Sequence, residues 1–464
     1  MTRSSFSSAA SPITSICSSD YGPLRVFVVQ TAKGLFSSSG GYKANICLLR
    51  YLASRGHSVR QICYPHRGEV KAYVQKVAKH GGDSQHLDDV VMEDGVQCVA
   101  LDEEAFTLAF GGNKGESQKA ISTETAAYME VNIPRYSALQ GRLSARLQDF
   151  VSFLQNEITS FAPTHIMFND GLSMHATSIS EMPELDACRI SVIHTAEQLP
   201  FGPFFGGMYC HVSSPREAKL LQELDGIWSV SNAIKQYALE HGRLHTEFFT
   251  HHPWTYLNQY DHSMPTRLHN WDKRYVGMVN PCVVKGIQIF ASIAARCPKH
   301  EFLVYKSWGF DTKIEDQLNL LQNVTLRAPC KDMDAAWRDI KVLLVPSLWF
   351  EAWGIVVVEA HLRGIPVISS NSGALSEAML GLDYIIPVNS IRGDVDDDGV
   401  YVVPEQNVEP WVETLNKLMS DRSEYEKVSN KVRTTTEQWL RDMDPNALET
   451  WLTELASRAS RMKL

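Results

Sequence analysis

The chain has 464 residues, too many for one hydrophobic core, so two domains with connecting pieces are expected. With 44% hydrophobic and 21% charged residues it has the composition of an ordinary globular protein, and a net charge of -9 excludes nucleic-acid binding through a broad basic surface. No apolar stretch approaches the roughly 18–20 residues that cross a bilayer. Residues 1–20 are rich in serine, lack the continuous apolar region of a secretory signal, and hold a single Arg3, thin for a transit peptide. A disordered tail over residues 1–23 is the expectation. The nine cysteines are scattered without a C-x-x-C pair, most of them inside apolar runs. That pattern implies reduced core thiols, a cytoplasmic protein and no structural zinc.

Order begins at Leu24. The run RVFVVQTA (25–32) reads as a buried parallel strand; the loop KGLFSSSGG, a helix from about Tyr42 to Arg55 and the strand SVRQICY (58–64) complete one right-handed βαβ unit. Further buried strands are predicted at 96–101, 165–170, 190–194 and 226–231, with helices such as 136–160 between them. This gives an N-terminal domain over 24–257. The polar, aperiodic stretch that follows supplies a linker over 258–272. The pattern then restarts, with strands at 274–280, 301–308, 324–328, 342–347, 366–370 and 384–388 and helices between them, as a second domain over 273–425. Trp411, Leu415, Leu418, Trp439, Leu448, Trp451 and Leu455 mark helices after residue 409, and those of 426–464 are expected to pack back on the first domain. The fold class is therefore α/β, two doubly wound Rossmann-like domains without sequence repeat.

Several patterns are set aside. GDVDDDG (393–399) reads as a solvated loop, because its aspartates lack the ordered ligand spacing of a calcium site. GGNKGES (111–117) lacks the spacing of a P-loop, and the turn after the first strand is not G-x-G-x-x-G, which excludes a dinucleotide dehydrogenase. No lysine context suggests the pyridoxal phosphate of a phosphorylase.

The most informative stretch is VLLVPSLWFEAWGIVVVEAHLRGIPVISSNSGALSEAM, residues 342–379. It reads strand, short loop, helix, strand, glycine loop, helix. Glu351 lies in the loop at the strand's carboxyl end, where ligand crevices of open α/β sheets lie, and Glu359 follows inside the helix. Gly354 and Ile355 open that helix and Gly373 opens the next, so two positive helix ends face one crevice, as a nucleotide diphosphate requires.

This constellation, carried by Ser347, Glu351, Gly354, Glu359, Ala360, Gly364, Pro366, Val367, Ile368, Ser370, Gly373 and Glu377, resembles the signature of the family 4 retaining glycosyltransferases of the GT-B fold. VGMVNPCVVKG (276–286) resembles the same family's first strand of the second domain, with Lys285 at a helix start and an Asn280–Pro281 turn. Met278 stands where many members carry an arginine. Gly40 and Gly41 match the glycine loop after the first strand, and His194 matches a histidine that faces the sugar.

The resemblance implies two domains facing each other across a cleft and a UDP- or GDP-linked sugar as co-substrate, with no cofactor and no metal. Within the site it implies that Glu351 contacts the donor sugar. Glu359 would accept hydrogen bonds from the ribose. Lys285, with Asn280, Gly354, Ile355 and Gly373, would face the phosphates, and Gly41 would border the acceptor and the leaving phosphate. The aromatic loop with Phe201, Phe204 and Phe205 suggests a small, partly apolar acceptor. A glycolipid or glycan reached by peripheral membrane contact is the alternative, and an inactive sugar-nucleotide-binding module is a third reading.

Overall fold

A computed structural model describes residues 22–33, 40–64, 90–100, 145–204, 214–253, 256–257, 263–307, 309–330, 333–396 and 400–461. The expectations for the serine-rich tail, for 111–117, for Phe205 and for residues 258–262 of the linker lie outside these residues.

The first sheet contains β1 (Arg25–Lys33), β2 (Ser58–Tyr64), β3 (Val90–Glu93), β4 (Val96–Ala100), β5 (His165–Phe168), β6 (Cys188–Ile193), β7 (Gly226–Ser229) and β8 (Phe248–Thr250). Its order is β3-β4-β2-β1-β5-β6-β7-β8, parallel throughout except for the β3–β4 edge pair. The second contains β9 (Tyr275–Val279), β10 (Glu301–Tyr305), β11 (Val324–Arg327), β12 (Ile340–Val345), β13 (Val367–Ser370) and β14 (Ile385–Ile386). Its order is β11-β10-β9-β12-β13-β14, all parallel. The expected α/β fold of two doubly wound sheets is thus the observed one.

The local causes are ordinary. Strands such as β12, IKVLLV, are buried along their whole length because helices cover both faces, so they read as mostly apolar runs, here with Lys341 as the one charged residue. Helices start where a side-chain oxygen accepts from an orphan amide: Asp170 from Ser173 N at 2.7 Å, Ser231 from Ile234 N at 3.1 Å, Asp311 from Ile314 N at 2.8 Å and Asp421 from Glu424 N at 3.0 Å.

Each sheet has its own core. The linker's end is tied to the second, where the Asn270 amide donates to the carbonyls of Trp337 (2.8 Å) and Ile340 (2.7 Å). The boundary expected after residue 425 falls inside one continuous helix, Arg422–Asp442, whose Tyr425, Val428, Val432 and Leu440 belong to the second core. The next helix, Ala447–Arg461, places Leu448, Trp451, Leu452 and Leu455 in the first. Among the described residues no helix is long and apolar enough to cross a membrane.

Candidate functional site between the two sheets

In the second sheet the strand order reverses between β9 and β12, so a crevice opens at their carboxyl ends. Two loops meet there. After β9, Asn280 takes a left-handed conformation (φ 59°), its amide donating to Tyr305 O at 3.0 Å and its side-chain oxygen accepting from Gly309 N at 3.4 Å. A 3-10 turn, Val283–Lys285, ends at Gly286 (φ 78°), where a Cβ would collide with Pro346 O after β12. The amides of Leu348 and Trp349 both donate to Val284 O, at 2.9 and 3.1 Å, and stitch the loops together. The result is an ion pair between Lys285 Nζ and Glu351 Oε1, with Ser347 Oγ donating to the same oxygen at 2.5 Å. Burial opposes the charge of Lys285, but the Glu351 carboxylate outweighs it and its pKa is raised.

The glycine loop after β13 grips Glu351 from behind. A Cβ on Gly373 (φ 57°) would strike the Glu351 backbone, and Ala374 N donates to Glu351 O at 2.7 Å. Gly354 (φ 124°) caps the helix Ile355–His361 and packs under Leu375. Glu359 sits on that helix; its carboxyl takes no hydrogen bond among the described residues. Burial raises its pKa, against the pull of Lys43 and Arg363. Met278 is buried inside β9, so the family's arginine position carries no cation here.

The first sheet reverses between β1 and β5 and presents His194 after β6. The His194 ring is fixed on several sides. Its Nε2 pairs with Asn45 Oδ1 at 2.8 Å, its amide donates to Gln198 Oε1 at 2.9 Å, and Gly41 approaches so closely that a Cβ would lie 2.9 Å from the ring. Burial lowers its pKa to about 4, so it is neutral at pH 7. Phe201 is not open to a ligand: it is buried beneath Gly242 because that glycine leaves room for its ring. Phe204 is half-buried, 4.7 Å from Trp349 and 5.4 Å from Phe350, and so packs across the cleft.

Two carboxylates also bridge the sheets. The Trp349 indole N–H donates to Glu197 Oε1. Glu377 accepts from Asn232 N (3.0 Å), Asn232 Nδ2 (2.9 Å) and Ala233 N (3.2 Å), with His252 Nε2 at 3.4 Å. His252 in turn stacks on Trp353 at 4.0 Å. Of the expected site residues, the structure thus joins Lys285 to Glu351, backs Glu351 with Gly373, and sets Gly41 against His194. Gly40 reaches Ile355 from the other sheet, a Cβ on it falling 2.9 Å from the isoleucine side chain. Sequence reasoning missed Glu197 and Lys43. Lys43 had a signal, as a cation directly after the glycine pair; Glu197 had only its place three residues beyond His194.

Residues 311–435 match the family model described as glycosyl transferases group 1. A poly(glycerol-phosphate) alpha-glucosyltransferase of Bacillus subtilis is 23% identical over 245 residues, 50% of this chain and 32% of that protein. An exopolysaccharide phosphotransferase of Streptomyces coelicolor is 27% identical over 178 residues, 37% of this chain and 17% of that protein. The chain therefore spans less than a third of either relative. Among solved structures, S. aureus TarM, in complex with Fondaparinux, alpha-GlcNAc-glycerol and UDP, superposes with a TM-score of 0.63 at 13% identity, over 93% of this chain and 99% of that one. Sucrose-phosphate synthase from Thermosynechococcus elongatus gives 0.61 at 14% identity, over 94% and 100%. Anabaena HepE in complex with UDP and glucose gives 0.55 at 11% identity, over 95% and 99%. These likenesses give the fold: GT-B.

Proposed function

Because residues 311–435 belong to the group 1 glycosyltransferases, we propose that this chain transfers a hexose from a UDP- or GDP-linked sugar to a hydroxyl acceptor, with retention of anomeric configuration and without a bound metal. The observation that carries the reading is the Lys285–Glu351 pair at the strand-order reversal, with Glu359 on the helix that follows Glu351. A donor diphosphate competes for the Lys285 ammonium, which frees Glu351 to accept from the sugar's hydroxyls. As the anomeric C–O bond breaks, negative charge grows on the diphosphate, and a cation already fixed by two stitched loops stabilises it without reorganisation. Neutral His194, held by Asn45, supports the sugar from the opposite sheet. UDP leads the donor candidates, since the TarM and HepE structures contain it.

For the acceptor, Phe201 is spent on the core and Phe204 packs on Trp349, which leaves less apolar surface among the described residues of this loop for a small apolar aglycone. A polyol or glycan hydroxyl is the better fit, in keeping with the poly(glycerol-phosphate) relative.

The test is calorimetric binding of UDP-glucose, UDP-galactose, UDP-N-acetylglucosamine and GDP-mannose, followed by transfer to glycerol phosphate oligomers. One donor should bind, and Glu359→Ala and Lys285→Ala should each weaken it by about one to two decades, the worth of a charge-assisted bond of roughly 1.5–3 kcal/mol. Proton NMR of the product should show the donor's anomeric configuration, with activity intact in a chelator. Binding of a donor without its turnover would favour the inactive module; an inverted product would refute retention.

A further inference from the structure

The loop after His194 carries a carboxyl group that the proposed reaction leaves without a role. Glu197 lies in the 3-10 turn Ala196–Gln198, on the first domain's side of the cleft. One oxygen accepts from the indole of Trp349, two residues before Glu351. The other, Oε2, is closed off from solvent and has no hydrogen-bond partner among the described residues. Burial raises the pKa of the group; its own amide, the Thr195 hydroxyl, the indole and the Lys285 charge pull it down but do not win. An oxygen left without a hydrogen bond in such a place is costly, and a ligand bond removes that cost.

We infer that Glu197 reads a hydroxyl of the transferred hexose, its Oε2 accepting a hydrogen bond from the sugar. The inference rests on the cleft being a sugar-nucleotide site. The place of Glu197 supports it: the indole that it binds stands two residues before Glu351, and the Lys285 charge acts on both carboxyls. The hexose is joined directly to the diphosphate that Lys285 would face, which brings its hydroxyls to the Glu197 side of the pair. The chemistry also matches, because a carboxyl oxygen offers two lone pairs and a sugar hydroxyl supplies the donor. Glu197 thus selects among sugars while the second domain holds the nucleotide.

The experiment compares calorimetric affinities of the full chain for a sugar nucleotide and for its bare nucleoside diphosphate, using whichever donor of the four above binds. Glu197→Ala should weaken the sugar nucleotide by about 10- to 100-fold and leave the bare diphosphate within about twofold. Glu197→Gln keeps the shape and one acceptor oxygen, and should cost the sugar nucleotide less; it carries the comparison if the alanine variant does not fold. Single-deoxy donors then identify the hydroxyl: the analogue lacking it should bind the wild type weakly and suffer no further loss in Glu197→Ala. Equal weakening of both ligands would make Glu197 a clasp between domains and overturn the inference, as would an unchanged sugar-nucleotide affinity. Binding of none of the four donors by the wild type would overturn the reading of the cleft itself, and this inference with it.

Discussion

At Gly286 and Gly373 the absence of a side chain is what allows three loops to close on one carboxylate. Both have positive φ, and a Cβ at the first would meet Pro346 O and at the second the Glu351 backbone. His361 is the opposite case, a side chain whose polarity finds no use. It is fully buried in the helix that carries Glu359, and neither ring nitrogen has a hydrogen-bond partner among the described residues. Burial lowers its pKa to about 3. In the unfolded chain a histidine titrates near 6.5, so between that pH and about 3 the unfolded state binds the proton that the folded state refuses. Stability from this residue is therefore present at neutral pH and lost as the pH falls. His361→Leu, similar in size and apolar, should be at least as stable at pH 7. Between pH 6 and 4 its stability should fall less steeply than the wild type's, by about 1.4 kcal/mol per pH unit. Urea unfolding at several pH values checks this; parallel slopes would refute it.

Among the elements, the short helix Leu375–Ala378 ties the two domains together through Glu377. The first turn of the helix Asn232–Gly242 has orphan amides, and Ser231 caps one of them, that of Ile234. Glu377 takes those of Asn232 and Ala233 from the other domain and adds a negative charge at the positive end of the helix dipole. The same segment, through Gly373 and Ala374, holds Glu351. The joint between the domains and the placement of Glu351 thereby share one segment. Glu377→Ala should weaken that joint by about 1–2 kcal/mol, the worth of a helix cap with its charge. Small-angle scattering should show a larger radius of gyration with each domain's circular dichroism unchanged; identical scattering curves would remove Glu377 from the clasp.

The sequence made the strands legible because parallel strands buried on both faces cannot hide among polar neighbours. Glu351 and Glu359 stood out in the sequence as members of the longer constellation over 347–377, not by their spacing alone. The Lys285–Glu351 bond joins residues 66 apart, and the Glu377–Asn232 cap residues 145 apart. No periodicity within a segment encodes either. The burial of Phe201 was hidden for a related reason: only the tertiary position of Gly242 makes its ring a core residue.

On the scale of the whole molecule, the helix Ala447–Arg461 is the last described element and belongs to the first core. Its Trp451 lies against Gly226, where a Cβ would come within 2.6 Å of the ring, stacks on Phe249 at 4.9 Å and donates to Glu247 at 2.9 Å. Leu452 O meets His165 Nε2 at 2.8 Å, and Glu449 pairs with His57 (2.9 Å) and Arg55 (3.1 Å). Trp451→Ala should therefore destabilise the first domain by about 3–5 kcal/mol and leave the second nearly untouched. Hydrogen exchange resolved by peptide should show faster exchange in β5 to β8 and none in β9 to β13; uniform loss across both sheets would contradict it. The same helix sets an order of events in the cell. A ribosome delivers the first sheet early, yet the residues that close its core emerge only after the entire second domain has been made. The half that is translated first is finished last, and until then its apolar edge is a surface for chaperones to hold.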